Sequence, residues 1–378
     1  MVANVFRGPH SLYRRYQALL ERTATAAGFA LVVALALKGM AVYPDNWVVV
    51  LGIGIAVLGL RWPLAAYGAA VVAMTYPIFT INFYLAVLFV AVAALGYRHF
   101  VHFLGATALV LATPLLAQYH LHWLVPVLGG LWWGGVAGAW IGGLAAVWGK
   151  LIGGMAGMNT DWLLLAGHTP QAQAIAERFQ DANSLNTLLL LVEPFAASSV
   201  VLLYNLLQVA GWILAGAFVG GLSSRRWVKY HAPWSVLVVT AGGGLILLAA
   251  HVALPYWLVD AAAESGALLD YDPSAPLFSL VVVILVGTLV YTLRESLDLP
   301  VAPRRVLRRA GANRQPVMAR ATPAFSLFKR SAKIKTGASE QSEDLGQPRR
   351  PVRVPSQHEL PEWEPPQTDS GLIMLEID

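Results

Sequence analysis

The chain has 378 residues, of which 57% are hydrophobic and only 12% charged, with a formal net charge of +5. Soluble globular proteins average about 25% charged residues, so most of this chain is not built for contact with water. Because there is no cysteine, a disulfide framework, thiolate metal ligation and a cysteine nucleophile are all excluded.

The N-terminal segment 1–23 carries four arginines ahead of an apolar run. That run ends without a small-x-small cleavage site, which predicts a retained first helix and not a removed signal peptide. Because a membrane span needs about 20 mainly apolar residues, the stretch 24–297 predicts an all-α transmembrane bundle of about eight to ten helices. Candidate spans cover residues 24–43, 46–60, 63–81, 83–97, 100–119, 123–149, 197–222, 234–258 and 275–294.

The loop charges predict the orientation of the bundle. Basic residues at Arg61, Arg98 and 225–229 fall at alternate span ends, whereas the opposite ends carry Asp45 and the acidic residues of 260–272. Since basic loops mark the cytoplasmic side, we expect an inner (cytoplasmic) membrane protein of a bacterium, with both termini in the cytoplasm.

The path between residues 150 and 196 is left open by these rules. Lys150 is expected inside, yet the helix that ends at Arg225 must start outside. Either the weakly apolar segment 151–167 crosses the membrane, which gives ten spans, or it re-enters. If Lys150 instead lies outside, there are eight spans. Irregular backbone at membrane depth is stable only where protein or a cavity surrounds it.

A row of glycines runs through residues 130–157. Gly130, Gly134, Gly138 and Gly142 recur every four residues, and therefore share one face of a helix. Such a row permits close packing against another helix, for which Gly216 and Gly220 are suitable partners. Alternatively, the row lines a pocket for a small, flat or apolar ligand, with tryptophans such as Trp133 as its walls.

The segment 134–146, GGVAGAWIGGLAA, resembles the small-residue helices of the substrate-binding (S) subunits of energy-coupling factor transporters. It is also similar to the glycine-rich helices of five-helix membrane sensor domains on bacterial histidine kinases. The first resemblance implies binding of a small solute within the bundle, and the second implies signalling from the membrane. Neither family's functional residues can be carried over to this chain.

Polar residues at membrane depth are candidate ligand-binding groups, because burying them is costly. We expect Asn159, Asp161 and Glu193 to be such groups, the last at a proline break of the kind that transporters use to present backbone to a solute. The alternative places Asp161 and Glu193 at the outer surface, solvated beside the loop 168–186.

Neither a cofactor nor a metal site is predicted. The nine histidines do not form a ligand set, since His99 and His102 lie about 30 Å along a helix from His120 and His122. No phosphate-binding loop or nucleophile–base pair is recognisable either, so an enzyme is not expected.

The composition changes at residue 298. The segment 298–378 is rich in Pro, Arg, Ser, Gln and Glu, which predicts a disordered cytoplasmic tail, first basic and then acidic. Arg304, Arg305, Arg308 and Arg309 are expected to bind anionic lipid headgroups of the membrane, and no nucleic acid. The closing segment 359–378 is a candidate for pairing with a protein partner, or is a free end.

Three functions remain open. A transporter or transporter subunit predicts a cavity at the glycine row, reached by Asn159, Asp161 or Glu193. A membrane sensor or scaffold subunit predicts a packed, cavity-free bundle and a partner for its tail. An unrecognised membrane enzyme is the third possibility.

Overall fold

The structure is a computed structural model that describes residues 2–225, 227–228, 234–258, 264 and 271–298. The predicted disordered tail 298–378 begins where the described residues end. The arginines expected to bind lipid headgroups and the segment 359–378 therefore lie outside the described residues.

Among those residues the chain is helical and contains no strand. We number the helices α1 (Val2–Met40), α2 (Asp45–Arg61), α3 (Pro63–Ile81), α4 (Phe83–His102), α5 (Leu104–Leu111), α6 (Thr113–Ala117), α7 (Leu124–Trp133), α8 (Gly135–Met155), α9 (Trp162–Leu165), α10 (Ala172–Phe179), α11 (Ser184–Ala196), α12 (Ser199–Ser223), α13 (Trp234–Leu248) and α14 (Ser274–Asp298). A π-helical turn at Ala249–Ala253 and a last turn at Leu254–Trp257 continue α13.

Seven of the described helices are long and apolar enough to cross a membrane, which confirms the predicted polytopic bundle. They are Tyr16–Met40, Pro63–Ile81, Phe83–His102, Gly135–Met155, Ser199–Ser223, Trp234–Trp257 and Ser274–Arg294. The first of these belongs to a helix that begins at Val2, within the segment 1–23 that was separated from the spans on composition.

Local sequence explains where several helices begin. Pro63 occupies the first turn of α3, where its missing N–H costs no hydrogen bond. The side chains of Asn82, Asn183 and Ser198 accept hydrogen bonds from backbone N–H groups of the helices that follow them. These caps satisfy amides that would otherwise be unpaired at the helix starts.

The predicted single span 123–149 is wrong, because the chain reverses at Gly134. This glycine adopts φ +85°, and α7 and α8 return against each other as a helical hairpin. A Cβ placed on Gly138 would lie 2.5 Å from the Cα of Gly130, and one on Gly142 would lie 3.2 Å from Pro126. Glycine is the residue that adopts this positive φ at the turn without steric cost.

The hairpin determines at which end of the bundle Lys150 lies. We call the end with Arg61, Arg98, Arg225 and Arg294 the basic end, and the other the opposite end. Gly134 lies beside Gly220 and therefore at the basic end, so Lys150, late in α8, lies toward the opposite end. Within the described residues the chain passes ten times between the two ends, with α5 and α6 together forming one pass. The segment 151–167 is not one of them.

Two buried cores hold the bundle together. One involves α1–α5, with Phe29 and Leu37 among its members, and the other involves α7, α8, α12, α13 and α14. Trp123 and Trp212 are fully buried in the second core, where the Trp212 ring stacks on the ring of Trp162.

Candidate functional site

The candidate site lies where the glycine row of α8 ends in a lysine. Positions 134, 138, 142, 146 and 150 follow one another at four-residue intervals and face α12. The first four are Gly or Ala, and the fifth is Lys150, whose side chain is fully buried. It lies five residues before the end of α8, or about 7.5 Å along the helix axis.

A re-entrant loop, residues 156–167, covers Lys150 from the opposite end. After Met155 the chain turns back, so that Trp162 rests on Gly149 while Leu165 rests on Gly153. Two glycines with positive φ bracket the loop, Gly157 at +73° and Gly167 at +86°. The segment 151–167 therefore enters the bundle by little more than one helical turn, and leaves at the end from which it came.

Lys150 has a hydrogen-bond acceptor for each of its three ammonium protons. Its Nζ lies 2.5 Å from the Thr160 carbonyl oxygen, 2.8 Å from Asn205 Oδ1 and 2.5 Å from Gln208 Oε1. The first acceptor belongs to the loop, whereas the other two belong to α12. Because an ammonium has three donors and no acceptor, this arrangement fits the charged form of the lysine.

Asp161 supplies the compensating negative charge. It is also fully buried, and its Oδ1 accepts hydrogen bonds of 2.9 Å from Gln208 Nε2 and from the backbone N–H of Leu163. Lys150 and Asp161 are thus linked through Gln208, with its oxygen on Lys150 and its nitrogen on Asp161, and we call these two residues the bridged ion pair. A buried charge is tolerable only when paired and hydrogen-bonded in this way.

Other polar groups fix the loop to α11 and α12. Thr160 Oγ1 lies 3.0 Å from the carbonyl oxygen of Pro194, to which it donates, and Asn205 Nδ2 donates to the carbonyl oxygen of Phe195. Tyr204 is buried and packs against Leu163. Pro194 lies inside α11 and does not break it, and the last-turn carbonyl groups of this helix face the site.

An aromatic cluster adjoins the ion pair through Trp162. The indole of Trp162 stacks on the ring of His122, with centroids 5.0 Å apart, and on the indole of Trp212 at 4.8 Å. Gly149, which the Trp162 ring contacts, provides the room. His122 Nδ1 is buried and has no hydrogen-bond partner among the described residues.

His251 completes the cluster and has a defined tautomer. Its Nε2 accepts a 3.1 Å hydrogen bond from Trp212 Nε1, and its Nδ1 lies 2.7 Å from the Leu247 carbonyl oxygen. Because an indole N–H only donates, Nε2 must be bare and Nδ1 must carry the proton. The histidine lies in the π-helical turn of α13, a geometry frequent at functional sites.

The predicted ligand-binding residues fall into two groups. Gly138 and Gly142 pack against backbone atoms of α12, with Gly130 and Gly216 in the same contact, so the row is filled by helix packing. Gly134 forms the hairpin turn instead. This is the first of the two interpretations of the row, and it confirms the predicted partnership with Gly216 and Gly220.

Of the remaining candidates, some lie in the loop or beside it and one lies away from it. Asp161 is in the site, and Asn159 supports it through a 2.9 Å hydrogen bond from the Asp161 backbone N–H to Asn159 Oδ1. Glu193 is exposed and forms a 3.0 Å ion pair with Arg178, while Trp133 contacts Gly105, away from the loop. Within the described residues, no group of three His, Asp or Glu side chains could hold a metal ion.

Sequence reasoning missed Lys150, Asn205, Gln208, His122 and His251. The four-residue row leading to Lys150 was an available signal, as was the polar pair three residues apart in an otherwise apolar α12. No family model, curated protein or solved structure matches this chain. The resemblance to transporter S subunits and sensor domains stays a prediction.

Proposed function

We propose that this integral membrane protein is a transporter, or the membrane subunit of one, that binds a small solute at Lys150. The observation that carries the proposal is a buried lysine, Lys150, linked through Gln208 to a buried aspartate of the re-entrant loop. Ionisable groups at membrane depth are costly, and they commonly mark substrate or ion pathways. Helix packing alone does not require them, because the glycine contacts between α8 and α12 already supply it.

The loop 156–167 is the proposed gate. It supplies Asp161 and the Thr160 carbonyl, whereas Lys150, Asn205 and Gln208 belong to helices. When the loop withdraws about its two glycine ends, the lysine becomes accessible from the opposite end. Release toward the basic end further requires α8 and α12 to separate along their glycine contact, and the transport cycle proposed here assigns the packed arrangement to its closed state.

The same proposal assigns the membrane orientation. Basic residues at one end of the bundle support a cytoplasmic location for that end, by the preference of Lys and Arg for the side that is not translocated. Both ends of the described chain, at α1 and α14, then lie in the cytoplasm. The gate faces the outside of the inner (cytoplasmic) membrane.

Cysteine accessibility tests the function without knowledge of the solute. Because the chain has no cysteine, one introduced thiol is the only one present. Ala146→Cys lies one turn from Lys150 and is fully buried, and Ala30→Cys is a control buried in the other core. A transporter predicts that a small, charged thiol reagent modifies position 146 from the outside much faster than position 30.

Equal inertness of the two positions would contradict a gate. That result would favour a second candidate function, a membrane sensor or scaffold subunit. The observation that supports the sensor or scaffold function is the packed glycine row, which a static bundle requires. The scaffold function predicts that deletion of residues 359–378 removes a protein partner and leaves the helical domain folded.

A further inference from the structure

We infer that the solute is a small aromatic carboxylate whose carboxylate and ring replace those of Asp161 and Trp162. The inference rests on the proposed transport function and names its substrate class. The adjacent loop residues Asp161 and Trp162 place a carboxylate on Gln208, which also binds Lys150, and a flat ring on an aromatic surface. The loop therefore fills the site with the two chemical groups that an aromatic acid has.

The charge left in the open site favours an anionic solute. The positive member of the ion pair, Lys150, is on a helix of the bundle, whereas the negative member is on the gate. Withdrawal of the loop removes the carboxylate and the Thr160 carbonyl together, and leaves an ammonium with the amides of Asn205 and Gln208. An unpaired ammonium in an apolar bundle is strongly unfavourable, so the open site selects an anion.

Neighbouring charged groups do not change the positive charge of the open site. Arg178 and Glu193 border the loop through Gly154 and Pro194, but they neutralise each other in an exposed ion pair. His251 is neutral in its hydrogen-bonded tautomer. The Gln208 Nε2 group, which donates to Asp161 in the closed state, remains as a donor for a second oxygen of the solute.

The shape of the open site favours a planar aromatic group. The Trp162 indole lies nearly parallel to the His122 ring, at an interplanar angle of 9°, and to the Trp212 indole, at 23°. Withdrawal of Trp162 exposes these two rings, on which a planar aromatic group stacks favourably. Nδ1 of His122, a buried atom without a hydrogen-bond partner in the part of the chain that the structure describes, lies at this surface and is available to a ring heteroatom or hydroxyl.

Equilibrium binding to the purified full-length protein tests the solute class. The probes are radiolabelled benzoate and indole-3-acetate, with cyclohexanecarboxylate, indole and inorganic phosphate as competitors. Because the Asp161 carboxylate competes with the solute, Asp161→Asn should tighten benzoate binding about tenfold or more, and Lys150→Gln should abolish it. The matched control, Asp45→Asn, changes an exposed acid at the same end and should leave binding unchanged.

A second measurement retains the native Asp161 and Lys150. Leu163 belongs to the loop and packs against Tyr204, so the reaction of Leu163→Cys with a thiol reagent should accelerate as benzoate displaces the loop. Cyclohexanecarboxylate or phosphate binding as tightly as benzoate would overturn the inference, as would unchanged binding in Asp161→Asn. Labelling at Ala146→Cys without benzoate binding rejects the solute class but not transport, and benzoate binding with an inert Ala146→Cys rejects the transport function.

Discussion

Gly138 of α8 and Gly216 of α12 face each other with backbone against backbone. A Cβ on Gly138 would lie 2.7 Å from the carbonyl oxygen of Gly216, and the reverse contact would be closer still. In a membrane no hydrophobic force drives helices together, so close approach of small residues supplies the packing energy. The bundle core around Lys150 depends on this contact, because α8 and α12 supply the lysine and its two amide partners.

The glycine contact predicts a sharp loss of stability in Gly138→Ala. The added methyl group would meet the Cα of Gly130 at 2.5 Å, and backbone cannot move aside as a flexible side chain can. We expect a cost of about 1–3 kcal/mol or loss of the folded protein, measured by thermal unfolding in detergent.

Gly68→Ala is the control for this variant, since a Cβ there has nothing within 4 Å. Alanine is the better helix former, so the control should be as stable as the parent chain or slightly more stable. Equal melting temperatures for both variants would refute the packing role of the glycine row.

The ion pair predicts strong coupling between Lys150 and Asp161. Lys150→Met leaves a buried carboxylate without compensation, which should cost about 3–5 kcal/mol. Asp161→Asn made in that background should restore part of the loss, with a coupling energy of about 1–3 kcal/mol in a double-mutant cycle. The measurement is the unfolding free energy of the four proteins in detergent.

The exposed pair Arg178 and Glu193 provides the matched cycle. Its side chains are 26% and 63% exposed, so we expect coupling within about 0–1 kcal/mol. If the buried cycle proved as weakly coupled as the exposed one, the Lys150 network would not be the constraint that fixes the loop.

The bundle and the partnership of the glycine row were predictable because both depend on local periodicity. Hydropathy identifies apolar helices, and a four-residue repeat identifies a packing face whatever that face meets. The turn at Gly134 was missed because the residues on both sides are apolar, so only the positive φ of one glycine separates two helices from one. The Lys150 site was missed because its members are far apart in sequence: Asn205 and Gln208 lie more than 50 residues after Lys150.

Trp212→Phe tests the link between the aromatic cluster and the π-helical turn. The substitution removes the indole N–H that donates to His251 Nε2 and leaves a buried acceptor unsatisfied. The expected cost is about 1–3 kcal/mol of unfolding free energy, measured by thermal unfolding. Trp140→Phe is the comparison, because Trp140 is 70% exposed on the outside of the bundle and should tolerate the change. A melting temperature for Trp212→Phe equal to that of Trp140→Phe would exclude a stabilising role for the hydrogen bond.

Single-cysteine labelling of intact cells tests the proposed orientation. Asp45→Cys and Asp272→Cys lie at the opposite end of the bundle, where the preceding or following helices turn, and both positions are exposed. Ser224→Cys lies at the basic end, after the last turn of α12, and is also exposed. A membrane-impermeant maleimide should modify the first two in intact cells and the third only after permeabilisation, because basic loops are retained in the cytoplasm.

Since ten passes place the turns after α2 and α12 at one end, Trp62→Cys should behave as Ser224→Cys does. Labelling of Trp62→Cys together with Asp45→Cys would mean that α2 does not cross, and the gate over Lys150 could then no longer be assigned to the outer surface.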